Sequence, residues 1–203
     1  MQSLPRRSLL KTSFAGAALL LAGQAALAQP KSAELDQLLS KQAITELIYQ
    51  YPRALDRLDR ELLLSIAHAD AKVEFGKMGS FPSWAAFADW LIKAHQPMLG
   101  NNHRITNVLV QVKGDRAVSE SSGTATLLVK KDGADDVYEE RWMHSRYLDK
   151  WSRRDGRWAL DHRQTVTDYR RVLDVAGADV RNRYQIGART GRDDPSYRLF
   201  KDL

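Results

Sequence analysis

The chain has 203 residues, with 31 Lys and Arg against 25 Asp and Glu, and no cysteine. Disulfide staples, thiol nucleophiles and thiolate metal sites are therefore excluded, and no later run is long and apolar enough for a membrane-spanning helix. The formal charge of +6 is no nucleic-acid signature: residues 1–28 hold Arg6, Arg7 and Lys11 and no acid, leaving 175 residues with 28 basic and 25 acidic side chains.

The first 28 residues read as an export address. Arg6-Arg7-Ser8-Leu9-Leu10-Lys11 is a twin-arginine pair, Phe14 to Ala22 is a short apolar run, and Ala26-Leu27-Ala28 is an A-x-A processing site. The mature protein is expected to start at Gln29, to need the twin-arginine export machinery, and to work in the periplasm or outside the cell. It is expected to have no membrane-bound form.

Residues 29–34 form a polar leader. From Leu35 apolar residues recur at helical spacing through Leu38, Leu39, Ile44, Leu47, Ile48, Tyr51 and Leu55. Pro52 removes the bond to the Ile48 carbonyl and predicts a kink. Asp59 predicts the cap of a second helix through Leu62, Leu63, Leu64 and Ile66. Lys72-Val73-Glu74-Phe75 reads as a short strand, and Ser83 caps a third helix carrying Trp84, Phe87, Leu91 and Ile92.

The remainder reads as strands over residues 103–113, 116–130, 137–153 and 157–170. Gly114-Asp115, Asp132-Gly133 and Asp155-Gly156 punctuate them as hairpin turns. Helices followed by an antiparallel meander make an α+β domain over residues 35–171. Residues 172–203 form a C-terminal arm, rich in Arg and Asp and without periodicity from residue 178. Its interleaved charges fit a solvated or subunit-clasping segment.

Three stretches carry a resemblance. They are Ile44-Thr45-Glu46-Leu47-Ile48-Tyr49-Gln50-Tyr51 leading to Asp56-Arg57; His103-Arg104-Ile105-Thr106-Asn107; and Arg153-Arg154-Asp155-Gly156-Arg157-Trp158 continuing to His162-Arg163. A weaker fourth is Asp193-Asp194-Pro195-Ser196-Tyr197. In this order they resemble the SnoaL-like branch of the nuclear transport factor 2-like superfamily. The resemblance implies a cone-shaped α+β barrel, in which a strongly bent antiparallel sheet wraps the N-terminal helices around one deep apolar pocket. It is nearest to the eliminating enzymes: hexachlorocyclohexane dehydrochlorinase, scytalone dehydratase and bile-acid dehydratase.

The family pattern implies Asp56, His103, Arg163 and Tyr51 as the catalytic set. Val73, Phe75, Asn107 and the alternative tyrosine Tyr49 are expected to bind substrate. A carboxylate on one imidazole nitrogen fixes the tautomer and stabilises the imidazolium, so Asp56 would support His103 as general base. Arg163 would stabilise a leaving anion or an enolate, and Tyr51 would donate to a leaving oxygen. From spacing alone Asp56 pairs equally well with Arg53 or Arg60 on a solvated helix face. Strand alternation puts His162, not Arg163, on the side of Trp158, Leu160 and Val166, unless a bulge intervenes. His144 is a reserve base.

No metal-ligand spacing, phosphate loop or dinucleotide fingerprint is present, so neither metal nor cofactor is expected. The expected function is a cofactor-independent lyase acting on an apolar cyclic or aromatic small molecule. The alternatives are an isomerase or cyclase in the same pocket, or a non-catalytic binding module. A homodimer or homotrimer is expected, with no nucleic-acid partner.

Overall fold

The computed structural model describes residues 14–187 and 191–202, with side chains from residue 32 onward. Arg6 and Arg7 lie outside the described residues, as do the side chains of the Ala26–Ala28 processing site. The chain divides into residues 1–39 and residues 40–203. Helix α1 (Phe14–Asp56) begins in the first unit and ends in the second. It is helical through the expected leader and through Pro52. In the first unit Leu35, Leu38 and Leu39 are exposed.

The second unit holds the core. Along α1 the large fully buried side chains are Ile44, Ile48, Tyr51 and Leu55, spaced by four, three and four, which is one helical face. Asp59 caps α2 (Arg60–Ser65) by accepting the Leu62 N–H at 3.0 Å. Ser83 caps α3 (Trp84–His95) by accepting the Ala86 N–H at 3.2 Å. Each cap satisfies a donor that the helix leaves open. Trp84, Phe87 and Leu91 of α3 pack with Leu63 of α2 and the α1 face. The Trp84 indole donates to the Leu63 carbonyl at 2.6 Å.

Six strands form one sheet: β1 (Ala67–Phe75), β2 (Ser80–Phe81), β3 (Gly100–Lys113), β4 (Arg116–Lys130), β5 (Val137–Arg154) and β6 (Arg157–Ala176). Their order is β2-β1-β6-β5-β4-β3. The four long strands form the antiparallel meander that the turn signals predict. Two features differ from the sequence reading. The expected strand 72–75 is longer and pairs in parallel with β6, so the sheet is mixed. It also stays open, with β2 and β3 at its edges, instead of closing into a barrel.

The inner face of β4 carries Ala117, Ser119, Ser121, Gly123 and Ala125, all small and all buried. Larger side chains from β5 fill the space they leave. A Cβ on Gly123 would lie 2.5 Å from the Tyr147 ring. At the end of the meander β6 continues to Ala176, and the arm contains two short helices, α4 (Gly177–Arg183) and α5 (Pro195–Lys201). The sequence reading found no period there because each helix is only seven residues long.

Candidate active site

Two carboxylate pairs, one with an imidazole and one with a guanidinium, stand out in the second unit. The first joins the last residue of α1 to the fourth of β3. Asp56 Oδ1 lies 2.8 Å from His103 Nδ1. The same carboxylate accepts the His103 backbone N–H at 3.0 and 3.2 Å. The local reason is topological: β3 is an edge strand, so half of its N–H groups have no strand partner. The Asn101 amide adds a second tie, donating at 3.2 Å to the Leu55 carbonyl, which also accepts the Leu58 N–H at 3.2 Å. Both side chains of the pair are mostly covered, His103 at 8% exposure and Asp56 at 12%. With Nδ1 donating to the carboxylate, Nε2 carries the lone pair. Helix geometry therefore sets up a base of fixed tautomer.

A second imidazole touches the first. His95 ends α3, is buried, and has its ring centroid 5.5 Å from that of His103. Its Nδ1 lies 2.8 Å from the Leu91 carbonyl, one turn back. Helix spacing alone does not show that β3 passes over the end of α3 at this residue.

The second pair is deeper. Arg163 donates from Nε and Nη2 to the two oxygens of Asp149, both at 2.8 Å. The side chains are 1% and 0% exposed. They are direct cross-strand neighbours on β6 and β5. The tyrosine rings of Tyr51 and Tyr147 lie 4.3 and 4.5 Å from the guanidinium carbon. Burial works against the Arg163 charge, but the adjacent Asp149 carboxylate outweighs it and holds the guanidinium more firmly protonated than usual. Burial, reinforced by Tyr147, pushes the Tyr51 hydroxyl well above its ordinary value, with Arg163 pulling the other way. Tyr51 therefore stays a proton donor. Three buried polar atoms here lack a hydrogen-bond partner among the described residues: Arg163 Nη1, Ser121 Oγ and Thr165 Oγ1. Ser121 and Thr165 sit in register on either side of Tyr147.

The choice between His162 and Arg163 is settled by a bulge. Trp151 pairs with Leu160, but Lys150 pairs with His162, leaving Asp161 as the extra residue. Leu160 and Arg163 consequently both point inward. His162 turns outward, 2.9 Å from Glu74. His144 sits against Thr124 and Tyr169 rather than near the helices.

Of the other expected substrate contacts, Tyr49 and Asn107 are exposed. Tyr49 is 51% exposed, because it lies two residues before Tyr51 and so on the opposite helix face. Asn107 is exposed and has φ +51°, at the register shift between Thr106 and Leu109. Asparagine suits that left-handed backbone, which accounts for the residue without a ligand. Val73 is buried in register with Arg163, and Phe75 packs in an aromatic cluster with Phe87 and Trp90. Asp149 was missed altogether. Its signal was its place: Tyr147, Asp149 and Trp151 alternate along β5, and an acid on an apolar strand face needs a cationic partner.

Two surface clefts, of about 450 and 550 Å³, include none of Asp56, His103, Tyr51 or Arg163 in their linings. Among the described residues no group of three or more His, Cys, Asp or Glu side chains is placed to hold a metal ion.

The fold agrees with what other proteins show. The model of the SnoaL-like domain matches residues 36–164. The chain belongs to the SnoaL-like family. Among solved structures, this SnoaL-like chain is similar to LinA at 23% identity and a TM-score of 0.62, over 69% of this chain and 93% of LinA. A type 2 LinA, a hexachlorocyclohexane dehydrochlorinase, gives 21% identity and a TM-score of 0.61, over 71% and 94%. A scytalone dehydratase-like protein of Novosphingobium aromaticivorans gives 20% and 0.58, over 68% and 90%. No curated protein matches this chain. At these identities the similarity establishes the fold.

Proposed function

We propose that this chain is a cofactor-independent lyase acting on an apolar cyclic or aromatic small molecule. The observation that carries the reading is the Asp56–His103 contact at 2.8 Å. In it a carboxylate orients an imidazole and neutralises the charge formed when Nε2 takes a proton. His103 removes a proton from a substrate carbon, and the electron pair left behind expels water or halide from the adjacent carbon. Tyr51, held protonated, donates to a leaving oxygen. Arg163 keeps the N–H groups of Nη1 outside its Asp149 clamp, and these stabilise developing negative charge. The dehydrochlorinase and dehydratase names among the similar structures support an elimination.

The test is direct. The purified protein is incubated with chlorinated cyclohexanes and with cyclic β-hydroxy ketones, and mass spectrometry reads the loss of HCl or water. Loss from one class, abolished in His103→Ala, is expected. An isomerised product with no fragment released would replace lyase with isomerase. A ligand recovered unchanged, bound equally well by His103→Ala, would replace both with a binding module.

The proposal extends to place and assembly. The mature protein begins at Gln29 and works outside the cytoplasm as a dimer or trimer. Replacing Arg6 and Arg7 by Lys should trap it in the cytoplasm, and light scattering should show more than one subunit. Periplasmic yield unchanged by that replacement, or a monomer, would overturn the corresponding part.

A further inference from the structure

The proposed chemistry uses Asp56 but not the arm that grips the chain on either side of it. Asp56 ends α1, and the chain turns within three residues into α2. At that turn Leu58 has φ +53°, a left-handed conformation that a bulky side chain keeps only where its surroundings hold it. Backbone bonds supply part of the hold. The Asp59 N–H donates to the Ala54 carbonyl at 2.9 Å, and the Leu58 N–H to the Leu55 carbonyl at 3.2 Å.

The C-terminal arm supplies the rest from outside, and it meets both sides of Leu58. Before the turn, the Arg53 guanidinium lies over the rings of Tyr197 and Phe200, at 4.5 and 5.2 Å. Arg57 Nε donates to the Ser196 hydroxyl at 3.3 Å and lies 3.5 Å from Asp194. After the turn, Asp59 accepts the Tyr197 hydroxyl at 2.6 Å. Arg192 pairs with Glu61 at 2.6 Å and lies 3.4 Å from Asp59. Arg60 is turned to Asp89. Of the charged residues from 53 to 61, Asp56 alone is given to His103.

Most of these pairs are exposed, where a single ion pair holds little. Asp59 is the exception. Its side chain is 3% exposed, and among the described residues its Oδ2 meets only Tyr197 and Arg192, both in the arm. Removing the arm strands a buried carboxylate oxygen at the corner between the two helices. Asp56 is sensitive to that corner. Helix ends fray, Asp56 is the last residue of its helix, and its carboxylate is bonded through one residue of an edge strand.

We infer that Tyr197 is a positioning residue: by tying α5 to Asp59 it locks the corner between α1 and α2 and so holds the Asp56 carboxylate on His103. The hold on the carboxylate is independent of the chemistry, while its effect on turnover rests on reading His103 as the base.

The test is amide hydrogen exchange on the full chain without substrate. The His103 backbone N–H reports on the carboxylate directly, because Asp56 accepts it at 3.0 Å. Tyr197→Ala removes the hydroxyl from Asp59 and the ring from Arg53. It should speed exchange at the His103 amide by about tenfold or more, while amides bonded between β4 and β5 keep their rates. Tyr197→Phe keeps the ring and should give a smaller increase at the same amide. Asp56→Ala removes the acceptor and marks the largest increase available. A His103 amide unchanged by Tyr197→Ala, or sped up no more than the amides between β4 and β5, would overturn the inference. If Tyr197→Ala does not fold, Tyr197→Phe against the native chain decides by the same comparison. With a substrate in hand, Tyr197→Ala should lower kcat several-fold and leave KM in place, and a change in KM alone would count against positioning. An unmoved His103 amide sinks the role of Tyr197 and leaves His103 as base, whereas a loosened amide in a protein that eliminates nothing sinks the base reading and leaves the hold on Asp56 standing.

Discussion

The two carboxylate pairs lie at different depths. Asp149 and Arg163 sit on neighbouring strands, at 0% and 1% exposure, joined by two matched bonds of 2.8 Å. Asp56 and His103 join a helix end to a sheet edge and keep roughly a tenth of their surface open. The deep pair holds a guanidinium more firmly protonated than usual, whereas the shallower one holds an imidazole that keeps part of its surface open.

Breaking the deep pair should have the largest effect on stability. Asp149→Ala leaves a guanidinium buried without its partner, and about 3–5 kcal/mol of stability should be lost in urea unfolding. Replacing both residues together with apolar ones of similar size should cost far less, because no charge is stranded. If the single and double variants were equally unstable, the pair would be ordinary packing.

Breaking the shallower pair should affect rate more than fold. His103→Ala should lower turnover by roughly a hundredfold or more, with little change in melting temperature. Asp56→Asn should also be slow, and the double variant should be little worse than the worse single one, since the two residues act as a unit. Losses that simply multiply would argue for independent roles.

A smaller effect should come from the space between the pairs. Gly123→Ala pushes against the Tyr147 ring, which packs on Tyr51 and Arg163. About 1–3 kcal/mol should be lost. Restoration by a second change, Tyr147→Leu, would show that the clash is the cause.

The smallest expected effect lies at Asp59, a third buried carboxylate, which ties the C-terminal arm to the start of α2. It accepts the Tyr197 hydroxyl of α5 at 2.6 Å, and Arg192 lies 3.4 Å away. Burial raises Asp59, but its hydrogen bonds from the Leu62 N–H and from Tyr197 outweigh that and hold it below its ordinary range. Its contribution is present above the ordinary carboxylate value and fades as pH falls through the lowered one. Tyr197 is pushed up to about 12, first by burial and then by Asp59. Its contribution is complete below about pH 10 and disappears as pH rises through about 12. Absorbance at 295 nm should show this tyrosine ionising late. Tyr197→Phe should cost about 1 kcal/mol and expose α5 to proteases. Unchanged cleavage would detach α5 from this contact.

What was legible in the sequence follows from range. The caps at Asp59 and Ser83 and the hairpin turns at Gly114 and Asp155-Gly156 are local signals, and all appear where the residues put them. Asp161 shows the limit: one extra residue reverses which side chains of β6 face inward, and alternation counted along β6 alone does not reveal it. The link between Asp149 and Arg163 spans a hairpin, and that between His95 and His103 a crossing of helix and strand. Neither leaves a local period. The parallel pairing of β1 with β6 joins residues ninety or more positions apart, which no turn signal marks.

Helix α1 supplies Tyr51 to the deep pair and Asp56 to the shallower one, so the same rigid rod is a ruler for both. Five residues span about 7.5 Å along the axis, and one inserted residue would turn everything beyond it by about 100°. Insertions before Tyr51 shift both groups together and leave their relation intact. An insertion between Tyr51 and Asp56 would turn the carboxylate away from His103 while the tyrosine stayed with Arg163. Length variation among relatives should therefore fall outside this interval, and a chain that departs from it should have given up coupling the two groups.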